Sequence, residues 1–377
     1  LIGENKFSLA SSLREHRLAQ RLEGKRVCIC AGSGGVGKTT TSAALAMGLA
    51  AEGRRVAVVT IDPAKRLANA LGLDELGNEP HLVDAAAFAG HGIEMRGELW
   101  AMTLDAKRTF DELIERLAPD PATRDEVLGN RIYQQLSSAV AGSQEFTAIA
   151  KLYELDRSGR FDMLVLDTPP SRNALDFLDA PDRLTGFFEG RALKTFLGGT
   201  GLAARVVGRG TGVVFGILRR LTGVDLLQDT GAFFRSLSGL IEGFHERAVA
   251  VKKLLGDPST TFLVVTSPNR EPVEEAIYFR RKLRDARMPF GGLIVNRVQT
   301  MVDSDDDAAD LPPALAAKVK QTLHELRLLA QRDAAAIERL RRELDEPEPI
   351  LVPQLDGDVH DVDGLVAVHR HLFSASG

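Results

Sequence analysis

Gly32-Ser33-Gly34-Gly35-Val36-Gly37-Lys38-Thr39 follows a short apolar run, Val27-Cys28-Ile29-Cys30. It opens a segment, Thr39 to Ala51, that is rich in Ala and Leu and holds one glycine, Gly48. The run predicts a buried strand and the segment a helix. A glycine-rich loop between strand and helix, ending in Lys-Thr, is the context of a phosphate-binding loop. The glycines let the backbone curl so that several N–H groups face one point, and the helix N-terminus adds partial positive charge there. Lys38 is placed to reach the β- and γ-phosphates of a nucleotide, and the Thr39 hydroxyl to ligate Mg²⁺.

The same residues satisfy a rival pattern. Gly32, Gly34 and Gly37 spell the Gly-x-Gly-x-x-Gly of dinucleotide sites, and Asp62 follows at a distance suited to a ribose contact. Lys38-Thr39 directly after the last glycine has no purpose in such a site. A later strand ending in an acid, Leu164-Val165-Leu166-Asp167, suits the metal-binding strand end that accompanies a phosphate loop. The phosphate-loop reading is the stronger of the two.

The 377 residues are enough for one large α/β domain with insertions, or for two domains. Lys and Arg number 47 against 52 Asp and Glu, a net charge of −5. No global basic field therefore recruits nucleic acid or anionic lipid. Cys28 and Cys30 share one face of a predicted strand and read as small apolar core residues. Without a disulfide framework, a cytoplasmic location is expected. No apolar run approaches the roughly 18 residues of a spanning helix, and no signal peptide is legible.

Outward from the loop the chain alternates strand and helix, which predicts an α/β fold with a mostly parallel sheet and helices on both faces. Residues 1–24 read as a leading helix or arm, with Leu9, Leu13 and Leu22 on one loose face. Arg55 to Thr60 is a second strand, and Pro63 holds Asp62 at its exit, near the carboxyl ends where ligands collect. Strands are expected at Glu98 to Leu104, Phe161 to Asp167, Phe262 to Thr266, Gly292 to Val295 (ending at Asn296) and Pro349 to Val352. Helices are expected at Asp105 to Leu117, Arg124 to Tyr153 with a break at Gly142, Val273 to Ala286 and Val362 to Phe373. The domain running from residue 25 to 377 thus carries helical insertions at about 105–157 and about 180–256.

Thr185 to Phe244 pairs apolar doublets such as Phe187-Phe188 and Phe233-Phe234 with many glycines. It reads either as an ordinary helical subdomain or as a groove for an apolar partner. The acidic run from Asp303 to Asp310 reads as a solvated loop, with metal binding the lesser alternative. Leu315, Val319, Leu323, Leu326, Ala330, Ala334, Ile337, Leu340 and Leu344 fall at three- and four-residue steps, one amphipathic helix at about 314–344.

With these residues in hand the chain resembles the ArsA-type ATPases, a deviant Walker-A branch of the P-loop NTPases of SIMIBI type. That branch holds arsenite-pump ATPases and ATPases that target tail-anchored membrane proteins. Gly32 to Thr40 looks like the family's phosphate loop, Asp62-Pro63-Ala64 like its first switch, and Asp167-Thr168-x-Pro170-Ser171 like its second. The resemblance implies ATP and Mg²⁺ as ligands. Gly34, Gly35, Val36, Gly37, Lys38, Thr39 and Thr40 would hold the phosphates, and Thr39 and Asp167 the metal, Asp167 through water. Asp62 would orient the attacking water; its plainer role is a helix N-cap. Asn296 matches the adenine-reading Asn, and Pro353 falls where the family closes over the base.

Departures from the family pattern matter as well. The first switch usually continues with His-Asn, where this chain has Lys65-Arg66. Ser33 stands where the family usually has a Lys that acts across a dimer on the other subunit's nucleotide. Either Lys65 or Arg66 substitutes for that cation, or the partner is a paralogous ATPase that retains it. The Cys-x-x-Cys of zinc-bridged dimers and the arsenite-binding cysteines are absent, so neither structural zinc nor an arsenite pump is expected. The resemblance therefore implies a dimeric Mg²⁺-ATPase that moves a helical subdomain holding an apolar client, such as a membrane-protein segment. It would be cytoplasmic, with any membrane contact peripheral. The alternatives are a MinD/ParA-like positioning ATPase and a low-turnover regulatory subunit of a heterodimer.

Overall fold

The computed structural model describes residues 17–62, 64–130, 133–134, 144–168, 240–301, 311–355, 357, 359 and 361–373. Strands β1 (Val27–Ala31), β2 (Arg55–Thr60), β3 (His81–Leu82), β4 (Glu98–Thr103), β5 (Met163–Asp167), β6 (Thr260–Thr266), β7 (Phe290–Val298) and β8 (Ile350–Pro353) form one sheet. Its order is β3-β4-β2-β5-β1-β6-β7-β8. β3 pairs with β4 antiparallel; every other pairing is parallel.

Every residue of β1, β5 and β6 is buried. Such strands carry unbroken apolar runs because both faces of a parallel sheet are covered. Cys28 and Cys30 lie in this core as free thiols. The chain leaves β1 toward β2 on one side and, after β5, returns to β6 on the other. That reversal makes β1 the switch point of the sheet, and the crevice at its carboxyl end receives the loop from Gly32 to Gly37. Register sets the chemistry beside it: Thr60 of β2 and Cys30 of β1 both lie opposite Asp167 of β5.

With the sheet belong α1 (Arg17–Arg21), α2 (Lys38–Ala51), α3 (Arg66–Ala70), α4 (Ala86–Ala89), α9 (Arg270–Asp285), α10 (Pro313–Leu344) and α11 (Val362–Phe373). α2 is buried along nearly its whole length, with Leu45, Met47 and Leu49 fully covered. Each such side chain contributes about 1.5–3 kcal/mol. Gly48 admits α11, since a Cβ there would lie 2.2 Å from the Phe373 ring. Leu18 and Leu22 of the leading arm are fully buried in this same core.

The chain divides into two compact units, one of residues 1–104, 155–175 and 255–377, the other of 105–154 and 176–254. The second holds α5 (Ala106–Leu117), α6 (Pro121–Gly129), most of α7 (Gln144–Ser158) and most of α8 (Ile241–Leu255). Asp105 caps α5 and Asp120 caps α6, each carboxylate accepting a backbone N–H of the first turn. In its core Phe110 stacks on Tyr133 and on Phe244, at centroid distances of 6.4 and 5.5 Å. Lys151, 2% exposed, pairs with Glu112 at 3.1 Å.

Three elements differ from the sequence expectation. β7 continues past Asn296 to Val298, because Val298 pairs with Pro353 of β8 beyond a register shift. On α10, Ala334 is exposed while Asp333 is buried, its carboxylate accepting the Gln299 N–H at 3.0 Å. The helical stretch expected from Arg124 to Tyr153 with a break at Gly142 is already interrupted at Asn130, where α6 has ended at Gly129. Leu9, Leu13, Gly142, the loop from Pro169 to Asn173, most of the apolar stretch from Thr185 and the acidic run lie outside the described residues. Among the described residues no helix is long and apolar enough to cross a membrane.

Candidate active site

The loop leaving β1 is pressed between neighbouring strands, and its glycines follow from that. A Cβ at Gly32 would lie 1.9 Å from the Val265 carbonyl oxygen of β6. Gly37 adopts φ 92° and begins α2 with no side-chain cap. A Cβ there would lie 2.3 Å from Asn296 Nδ2. The first-turn N–H groups of α2 have no intrahelical acceptor, so this uncapped end offers donors and partial positive charge to an anion.

Above it lies a cavity of about 480 Å³. Gly34, Gly35, Gly37, Lys38, Thr39, Thr40, Asp62, Asn296 and Pro353 all line it. The structure thus brings the sequence-predicted residues together, with two placed differently. Val36 turns its side chain into the core, leaving only its backbone near the loop surface. Asp167 is 2% exposed and reaches the cavity through Thr39.

Asp167 Oδ2 accepts hydroxyl hydrogen bonds from Thr39 at 2.7 Å and from Thr60 at 2.8 Å. Oδ1 is buried and has no hydrogen-bond partner among the described residues. Burial pushes the Asp167 carboxyl up to about 6, while Thr39, Thr60 and the Lys38 charge hold it down. A buried carboxylate oxygen without a partner is costly and usually has a purpose. Beside a threonine hydroxyl, it fits a hard cation that takes oxygen ligands.

Lys38 is 6% exposed, and its Nζ donates to the Ser33 carbonyl at 2.7 Å. Burial lowers its pKa, against the pull of Asp167 and Glu275. Ser33 is equally buried and donates its hydroxyl to Glu275 Oε2 of α9 at 2.6 Å. Asn296 donates from Nδ2 to the Val36 carbonyl and accepts the Arg297 N–H at Oδ1, both at 2.9 Å. The amide expected at a base therefore also holds the loop backbone.

Asp62 Oδ1 accepts the Ala64 N–H at 2.9 Å, and Oδ2 pairs with Arg66 at 3.1 Å. It shapes the turn after β2; α3 itself starts from Lys65. Thr60 escaped the sequence reading. Its hydroxyl meets Asp167, and it accepts the Asp62 N–H at 3.2 Å. The signal lay in the pairing of β2 with β5, which no local pattern reveals.

A profile of the family described as "Anion-transporting ATPase" matches residues 25–326. The chain is 26% identical to the ATPase ARSA1 of Chlamydomonas reinhardtii over 365 residues, covering 90% of this chain and 42% of that protein. It is 26% identical to the ATPase ASNA1 homolog of Cryptosporidium parvum, over 72% of this chain and 65% of that protein. It is also 26% identical to the ATPase GET3C of Arabidopsis thaliana, over 74% and 69%. The chain thus spans less than two thirds of the length of the first two.

Proposed function

The chain belongs to the anion-transporting ATPase family, and on that premise we propose that it binds and hydrolyses ATP with Mg²⁺ in the cavity above α2. The observation that carries this reading is the unpartnered Oδ1 of Asp167, buried beneath a glycine loop whose lysine and threonine line the cleft. The backbone from Gly34 to Thr40 would hold the triphosphate, with Lys38 offsetting its charge. Thr39 and Asp167 would hold Mg²⁺, which supplies charge neutralisation between the phosphates when bound. Asn296 and Pro353 would flank the base. Asp62 would orient water, whose oxygen bonds to the γ-phosphorus as the bond to ADP breaks; the proton leaves with the phosphate product. Positioning and charge stabilisation account for most of such catalysis.

The finer reading is a dimer in which turnover moves the helical unit and its apolar client. In sequence, Asp167 and Thr168 precede by a few residues the segment 176–254 that belongs to that unit, which supports such a coupling. Ser33 favours a heterodimer: its buried hydroxyl is engaged with Glu275 and offers a neighbour no cation. A paralogue with lysine there would complete this chain's site. Phosphate release by the purified chain, alone and mixed with such a paralogue, tests both levels. Release should require Mg²⁺, vanish in Lys38→Ala and rise on mixing. Release untouched by Lys38→Ala contradicts the ATPase reading; a fast chain alone, with no gain from Ser33→Lys, contradicts the heterodimer.

A further inference from the structure

While Oδ2 of Asp62 pairs with Arg66 at 3.1 Å, the guanidinium neutralises the charge that would polarise a water there. The Asp62 carboxylate is 15% exposed, whereas the Arg66 side chain is 65% exposed and free to swing within the cleft it lines. The adjacent cation points elsewhere: Lys65 Nζ donates to the Asp74 carbonyl at 3.4 Å and does not line the cleft. Lys38 is buried and anchored on Ser33. Arg297, the other arginine of the cleft, stands beside Asn296 on the wall built by β7 and β8. Among the described residues on the Asp62 side, Arg66 is therefore the mobile cation. A phosphate offers a guanidinium two oxygens and more charge than one carboxylate oxygen, so it is the stronger partner.

We propose that Arg66 leaves Asp62 for the terminal phosphate of bound ATP. One movement then brings a cation to the transferring phosphoryl group and releases Asp62 to orient the attacking water. Without a γ-phosphate the pair re-forms and Asp62 is held inactive. This rests on the ATP reading above. Arg66 acts in its own subunit, so the device is independent of any neighbour's residue at position 33.

Calorimetric affinities of the full chain for ADP and for a β,γ-imido ATP analogue, each with Mg²⁺, test it. Arg66→Ala should leave ADP within about twofold and weaken the analogue about tenfold, the scale of one charge-assisted contact. kcat should fall on the order of 10²- to 10³-fold, with Arg66→Lys restoring only part because it lacks the planar fork. An unchanged ratio of the two affinities overturns the proposal. An equal loss for both nucleotides also overturns it, since Arg66 would then only shape the cleft. Lys38→Ala separates the two levels. If it abolishes binding while Arg66→Ala behaves like the parent, only the arginine proposal fails; if the parent ignores both nucleotides, the ATP reading fails with it.

Discussion

At Asp62 a single side chain does two separable jobs. Oδ1 fixes the turn through the Ala64 N–H, and Oδ2 holds Arg66. Asparagine retains an oxygen for the turn but loses the charge that pairs with Arg66 and that, in the proposed mechanism, would polarise water. Asp62→Asn should therefore bind Mg-ATP as tightly as the parent, or more tightly because Arg66 is released. Its turnover should fall on the order of 10²-fold. Comparing calorimetric affinity with phosphate release checks this; parallel losses would leave Asp62 a turn residue only. That Asp62, Lys38 and Thr39 line one cleft was legible because their positions follow from local order along the chain. Thr60 and Glu275 were not, because each acts on a residue of another element, Asp167 and Ser33, and only the sheet register and helix packing bring them together.

Elements with strong local signals came through with little change. α11 starts and ends where the sequence placed it, at Val362 and Phe373, and α10 spans Pro313 to Leu344. What periodicity missed is a polar exception inside the seam, Asp333, whose burial rests on the Gln299 N–H at Oδ2 and on the Arg332 guanidinium at Oδ1. α11 carries a second such exception. His369 has a buried Nδ1 without a partner among the described residues, and its ring lies 4.8 Å from that of Phe373. Burial, aided by Arg370, lowers its pKa from 6.5 to about 4. A depressed histidine binds its proton more readily in the unfolded chain, so the group favours folding above about pH 6.5 and that contribution is lost as pH falls toward 4. The loss should be on the order of 3 kcal/mol. Urea unfolding across that window should show His369→Gln losing less stability than the parent by this amount. Parallel pH profiles would contradict the assignment.

At the scale of the whole molecule, the α/β class and the parallel sheet follow from the alternation of buried apolar runs and helical segments. The order of the strands does not: seating β5 beside β1 is a tertiary choice, and it is what places Asp167 beside the glycine loop. The antiparallel β3, two residues long, left no pattern to read. The helical unit has its own aromatic core around Phe110, Tyr133 and Phe244, so the client binding proposed there and the nucleotide chemistry proposed in the sheet unit can be tested separately. In the proposed function Lys38, Thr39 and Asp167 build one Mg-ATP site. Calorimetric titration of ATP into the parent and into Asp167→Asn, with Mg²⁺ and with chelator, tests it most directly. Mg²⁺ should tighten ATP binding to the parent, and Asp167→Asn should abolish this gain, a loss of about 10- to 100-fold in metal affinity, while leaving affinity in chelator unchanged. A parent that does not bind ATP, or an Asp167→Asn variant with an undiminished response to Mg²⁺, would contradict it.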